Sequence, residues 1–255
     1  MNPARLFPAF LAAIAVGAGA TAGLAQLPRA LPVARQLVVV TTPGWDSTTG
    51  TLRYFARPTQ RDRWQPAGAP IPVVVGRTGL AWGTPFDQLV TDPQAPHKRE
   101  GDGRSPAGAF PLDTAFGFAP RDAMLPLHMA YVQLTPATDC VDDTASVHYN
   151  TIVSRDAAHV DWTSAEHMRQ IAQYRIGVVV GYNAVSPLRG RGSCIFLHVW
   201  AGPGSTTVGC TALDARALEQ LMEWLDRSKQ PVLVQLPAGE YDRLRARWSL
   251  PERSE

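Results

Sequence analysis

From Gln36 onward the apolar residues come in short runs, many of them β-branched or aromatic, and each run is bounded by Gly, Pro, Asp or Asn. Runs of that length with turn residues between them read as strands. They predict strands at 36–41, 51–57, 71–76, 109–110, 131–134, 176–180, 194–200 and 232–236. The 22 prolines and 21 glycines fall mostly between these runs, where turns need them. Helical spacing is rarer. Leu218, Leu221, Met222 and Leu225 recur at the period of a helix over 213–226, with Asp214 placed as its cap or first-turn acid. A further helix is expected to begin near Ser164, and another to cover 240–248, with Tyr241, Leu244 and Trp248 on one face. The pattern predicts a mainly β fold with a few helices, an α+β arrangement forming one domain over 36–255.

The first residues add a location. Behind Arg5 an apolar run covers 6–20, and small residues follow up to Ala25. This suits a secretory signal over 1–25, cleaved after Ala25. The run is shorter than the roughly 20 apolar residues that span a bilayer, so no stable membrane insertion is expected after cleavage. Residues 26–35 then read as a spacer. The protein is expected to be exported, to the periplasm or the cell-wall space. A hydrophobic share of 45% with 18% charged residues excludes disorder as the main state. A net charge of +2, spread along the chain, excludes the basic stripe of a nucleic-acid binder.

Candidate chemistry concentrates at one place. The apolar strand ending in Leu197-His198-Val199-Trp200 delivers a histidine, a glycine-rich turn follows, and Thr207-Val208-Gly209-Cys210-Thr211 leads towards the expected helix. A thiol becomes nucleophilic when it loses its proton, and a nearby imidazole or helix N-terminus lowers its pKa, to about 3.5–7.5 in activated cases. His198 as base and Cys210 as nucleophile supply that pair. Backbone N–H groups of Gly209 and Thr211 are positioned to receive an oxyanion. Three cysteines in an exported chain leave one thiol over, and the pairings Cys140–Cys194, Cys140–Cys210 and Cys194–Cys210 are all open.

His198 followed by Thr207-Val208-Gly209-Cys210 resembles the signature of the L,D-transpeptidase catalytic domain family, the YkuD family. Upstream, Lys98-Arg99-Glu100-Gly101-Asp102-Gly103-Arg104-Ser105-Pro106-Ala107-Gly108-Ala109-Phe110 resembles the same family's Lys, Gly-Asp, Thr/Ser-Pro-x-Gly-x-Phe segment. The likeness covers roughly 97–236. It departs from the family pattern at Val208, where many members carry a second histidine, and at Thr211-Ala212.

The resemblance implies an L,D-transpeptidase-like β-sandwich that acts on peptidoglycan stem peptides through a thioester on Cys210, releasing D-alanine, with an amine of a second stem as acceptor. Resolution by water would make the same site an L,D-carboxypeptidase or endopeptidase. A fold kept without catalysis would leave a cell-wall-binding protein. Lys98, Arg104, Tyr149, Asn150, Trp200 and Thr207 are candidate substrate contacts. With Cys210 reserved for chemistry, the implied disulfide is Cys140–Cys194. No cofactor is implied. His97, His148, His167 and His198 lack the close spacing of a metal-ligand pair, so no metal is expected.

Overall fold

The structure, a computed structural model, describes residues 31–124 and 127–253. The reading of 1–25 as a signal lies outside them. Among the described residues fifteen strands and two α-helices follow in order. The first group comprises β1 (Gln36–Thr42), β2 (Thr49–Ala56), β3 (Gln65–Pro66), β4 (Ile71–Val74), β5 (Leu80–Trp82), β6 (Ser105–Pro111), β7 (Thr114–Gly117) and β8 (Ala130–Gln133). The middle group is β9 (Thr138–Val141), β10 (Ile152–Ser154) and β11 (Ala165–His167). The last group runs β12 (Ile176–Val179), β13 (Phe196–Val199), β14 (Thr211–Leu213), α1 (Ala215–Trp224), β15 (Val232–Pro237) and α2 (Ala238–Trp248). The described residues form a mainly β fold with two α-helices.

The main sheet has the order β5-β6-β15-β1-β2-β4-β14-β13-β12-β7-β8, with β3 added beside β2. It curls around one large core, because residues from strands far apart along that order, such as Trp82, Ala109, Val178 and Leu197, share a single apolar cluster. The curl brings separate strands together: Gly181 donates its N–H to the Pro111 carbonyl at 2.9 Å, and the rings of Phe110 and Tyr182 meet edge to face at 5.4 Å. Helix α1 lies over β12 and β13, while α2 lies over β15 and β1. Both bury their apolar stripes, Leu218, Leu221 and Met222 from α1 and Tyr241, Leu244 and Trp248 from α2.

A smaller sheet, β10-β9-β11, forms an insertion between β8 and β12. Asp139 at its centre is fully buried and bonds Arg155, His167 and Trp162. Burial alone would raise its carboxyl pKa, but those three donors outweigh it and hold the group below its ordinary value. Cys140, on the same strand, bonds Cys194 just ahead of β13, so a disulfide ties the insertion to the main sheet.

The structure departs from the sequence pattern near Ser164. There the chain forms β11 and two short 3₁₀ turns, Met168–Gln170 and Ala172–Arg175, in place of an α-helix. Two reasons are visible. Glu166 pairs with Cys140 in the ladder of β9, and the buried or half-buried Met168, Ile171 and Tyr174 recur every third residue, the period of a 3₁₀ turn rather than of an α-helix. The helix expected over 213–226 is shorter than its pattern, since Leu213 closes β14. Asp214 caps it, accepting from the N–H groups of Arg216 and Ala217 at 2.9 and 3.2 Å. The described end of the stretch read as a spacer packs onto the fold, with Leu31 and Ala34 buried and their carbonyls taken by Arg57.

Candidate active site

β13 and β14 run parallel, with Leu197 opposite Thr211 and His198 opposite Ala212. Strand alternation turns Leu197, Val199 and Leu213 into the large core and leaves Phe196 and His198 on the other face. Cys210 joins Phe196 there, in a smaller core with Phe116, Tyr174 and the disulfide.

The connection over 200–210 contains no helix. It is pinned to the chain leaving β4: Thr207 donates its N–H to the Val75 carbonyl at 3.1 Å, and Arg77 donates to the Thr207 carbonyl at 2.8 Å. A Cβ on the intervening Gly76 would lie 2.2 Å from the Gly103 carbonyl oxygen, so this approach requires glycine. Gly209, at φ +151°, makes the last turn before the cysteine. The Cys210 carbonyl then accepts from two hydroxyls, Thr207 Oγ1 at 2.5 Å and Ser105 Oγ at 2.8 Å. Ser105 begins β6, so the Ser-Pro-Ala-Gly-Ala-Phe segment and the Thr-Val-Gly-Cys segment meet at this one carbonyl.

Cys210 is the free cysteine, and only 3% of its surface is exposed. Its Sγ accepts from the Phe196 N–H at 3.3 Å and donates to the Cys194 carbonyl at 3.4 Å. Tyr174 shares this small core and its cavity with Cys210, and its hydroxyl donates to Glu166 Oε2 at 2.7 Å. Burial pushes the thiol pKa well up, and the Glu166 charge adds to the rise. This corrects the expectation of a lowered thiol pKa. One cause is that β14 stands between Cys210 and α1, so the helix N-terminus is spent on the Asp214 cap; the other is that burial outweighs every favourable neighbour.

His198 is buried, and its ring meets the Tyr174 ring edge to face at 5.1 Å. Its Nδ1 lies 2.8 Å from the Val199 carbonyl. A carbonyl can only accept, so Nδ1 carries the proton and Nε2 keeps a free lone pair. Burial lowers the imidazole pKa, leaving it neutral at neutral pH. His198 and Cys210 line the same cavity of about 300 Å³, together with Trp200, Thr207, Glu166 and Arg77. Among the described residues no hydrogen bond joins His198 to Cys210 directly. A larger hollow of about 620 Å³ lies elsewhere, by Thr51, Arg53, Asp242 and Arg245, and shares no residue with this one.

The candidate contacts divide. Trp200 and Thr207 line the cavity. Lys98 is buried, its Nζ bonding Asp102 at 2.5 Å and the Arg99 carbonyl at 2.7 Å. Arg104 pairs with Asp46 and donates to the Trp45 and Leu80 carbonyls. Tyr149 donates to Glu100 at 2.5 Å. Asn150 donates to the Tyr182 and Asn183 carbonyls while its oxygen accepts the Cys194 N–H at 2.9 Å. These four are engaged within the fold, Asn150 alone bonding a disulfide cysteine, and they stand outside the cavity lining. Of the backbone donors, the Gly209 N–H points at Thr207 Oγ1, 3.2 Å away, and Thr211 is the buried first residue of β14.

Four further residues emerge only in three dimensions: Ser105, Glu166, Tyr174 and Arg77. Glu166 reads in the sequence as part of an exposed helix face. Arg77 is exposed, and among the described residues its guanidinium has no hydrogen bond or ion pair, so it is the free cation of the cavity wall. No protein-family model, curated protein or solved structure matches this chain. Among the described residues no helix is long and apolar enough to cross a membrane, and the disulfide fits an oxidising compartment.

Proposed function

We propose that this protein is an exported cysteine acyltransferase of the L,D-transpeptidase type, acting on peptidoglycan stem peptides in the periplasm or cell-wall space. The observation that carries the reading is the free Cys210 thiol in one cavity with a neutral imidazole whose Nε2 lone pair is bare. In this reading the sulfur attacks the stem carbonyl that precedes the terminal D-alanine. His198 Nε2 takes the thiol proton as the sulfur attacks, the C–N bond breaks as the tetrahedral intermediate collapses, and the amine leaves with that proton, returned by His198. An amine of a second stem, or water, then opens the thioester, His198 taking its proton. The raised thiol pKa is compatible with this order of events, since proton removal accompanies attack instead of preceding it. The Arg77 guanidinium is the cation available to a stem carboxylate.

The test is incubation of the protein and its Cys210→Ala variant with purified muropeptides, followed by mass spectrometry of products and of intact protein. Loss of D-alanine with an acyl group on Cys210 is expected, absent in the variant. Cross-linked dimers mark the transferase and trimmed monomers the hydrolase. Unchanged muropeptides with both proteins, together with binding to sacculi, would replace the enzyme by a wall-binding protein.

A further inference from the structure

The cavity beside Cys210 has one cation and one carboxyl among its lining residues, Arg77 and Glu166, and among the described residues no ion pair joins them. Each is held in place without being neutralised. Glu166 is fixed by the ladder of β11 with β9, opposite Cys140, and by the Tyr174 hydroxyl on its Oε2 at 2.7 Å. Its Oε1 accepts no hydrogen bond among the described residues, yet it is not sealed in the interior: the buried polar side-chain atoms without a partner there are Trp82 Nε1, Arg191 Nε and Trp248 Nε1. That oxygen is open, and the hollow Glu166 lines is this cavity. Arg77 is anchored by its backbone N–H on the Thr207 carbonyl at 2.8 Å, and its side chain lies against Gly103, where a Cβ would come within 3.0 Å of Arg77 Cγ and Nε.

We propose that Arg77 and Glu166 form a bipolar subsite beside the thiol that binds a zwitterionic amino-acid end, its ammonium on Glu166 Oε1 and its carboxylate on the Arg77 guanidinium. Opposite charges set apart in one cavity suit a ligand that carries both. A guanidinium fork matches a carboxylate in shape, and a carboxylate accepts short, charge-assisted bonds from an ammonium. Ile171, Ala201, Val208 and Ala212 add apolar groups to the wall, which suit an aliphatic stem behind the charged end. A volume of about 300 Å³ admits one residue of that kind. Placing this end on a stem peptide rests on the acyl-transfer reading; the bipolar subsite itself does not.

The surroundings leave both charges to the ligand. Burial raises the Glu166 pKa to about 7, with Asp142 and Glu100 adding to the rise and the Tyr174 hydrogen bond opposing it. A carboxylate held there lacks a cation, and a ligand ammonium supplies one. No group of the protein competes for that place: His198 is neutral, and the buried Lys98 is spent on Asp102 outside the cavity lining. A ligand with a single charge satisfies only one end. An acid without an amine leaves Glu166 unpaired, and an amine without a carboxylate leaves Arg77 unpaired. Selection for a zwitterion therefore comes from two separate contacts.

The experiment is protection of Cys210 from alkylation by iodoacetamide in the full-length protein at about pH 8, where Glu166 is mostly ionised, read by intact mass with Cys210→Ala as the blank. The probes are norleucine, Nα-acetylnorleucine and norleucinamide, which carry both charges, the anion alone and the cation alone. Half-protection by norleucine is expected at a concentration about tenfold lower than with either derivative. Glu166→Gln should erase the advantage over Nα-acetylnorleucine and keep that over norleucinamide, and Arg77→Ala should do the converse. Each variant is referred to its own alkylation rate without a probe, so a change in thiol reactivity does not enter. Equal protection by the three probes in wild type overturns the proposal, as does no protection by norleucine up to about 0.1 M, and either result decides the matter even where a variant fails to fold. A folded variant that loses both preferences, or neither, overturns it as well. Muropeptide turnover assayed in parallel separates the two readings. A preference for norleucine while wild type leaves muropeptides untouched supports the subsite and removes the substrate; turnover without any preference among the probes does the reverse.

Discussion

The two faces of β13 and β14 are built from alternate residues of the same strands and differ in almost every other respect. On one side Leu197, Val199 and Leu213 enter a large apolar core capped by α1. On the other, Phe196, His198 and Cys210 meet Tyr174, Phe116 and the disulfide, a small core of rings, sulfur and hydroxyl with Glu166 at its edge. The large core supplies rigidity, and the small one holds the groups whose protonation states matter. Because the two faces share a backbone, stability and chemistry should be separable by choosing odd or even positions. The sharpest comparison is Leu213→Ala against Cys210→Ala. The first leaves a cavity in the large core and should cost about 2–5 kcal/mol in denaturant unfolding. The second should cost only about 1 kcal/mol, while acyl transfer, in the reading proposed above, falls by at least about 10³-fold. If Cys210→Ala unfolds the protein as readily as Leu213→Ala, the division between the faces is wrong.

How far this division is legible in the sequence depends on the spacing involved. The strands at 36–41 and 232–236 show because long β-branched runs fill them, and α1 shows because Leu218, Leu221 and Met222 keep a helical period. His198 and Cys210 show because a strand and a glycine-rich turn deliver them within one short segment. Glu166 and Tyr174 do not, since their approach to Cys210 depends on a ladder with β9 and a turn of period three that mimics a helix when read linearly. Charge is equally ambiguous in one dimension. Lys98 and Arg104 look like free cations in a charged run, yet both are consumed by partners at Asp102 and Asp46, whereas Arg77, with no signal of its own, is left free beside the thiol. A residue's availability is a property of its neighbours in space.

The disulfide joins the small core to the insertion and offers the next test. It spans 54 residues, and closing a loop of that size removes roughly 4 kcal/mol of unfolded-state entropy. Replacing Cys140 and Cys194 together by serine should therefore lower the denaturant midpoint strongly. It should also disturb the thiol, because Cys194 supplies the carbonyl that accepts the Cys210 S–H. An unchanged alkylation rate in a destabilised but folded double variant would mean that the bond holds the insertion alone.

Glu166 predicts an opposite sign. Its pKa is raised from 4.5 to about 7 in the folded protein, so the ionised form is penalised by folding. The native state is relieved of this penalty below about pH 4.5 and bears it fully above about pH 7. Glu166→Gln should thus be more stable than wild type at pH 8, by at most roughly 3 kcal/mol, with the gain fading as the pH falls. Equal stability of the two proteins across that window would remove the strained carboxyl.

The smallest effect expected is at Arg77. Its guanidinium is exposed and, among the described residues, makes no hydrogen bond or ion pair, so Arg77→Ala should leave the unfolding midpoint within about 0.5 kcal/mol of wild type. If it receives a stem carboxylate, an ion pair formed only with substrate is lost. KM for an acidic donor should then rise about tenfold at unchanged kcat, and a donor amidated at that carboxylate should show little difference between the two proteins. The same loss with both donors would place the guanidinium against a neutral part of the substrate. Lys98 offers the control within the same family of cations: buried and paired with Asp102, it should respond to Lys98→Ala by losing stability, about 3–5 kcal/mol, before any contact with substrate is at stake.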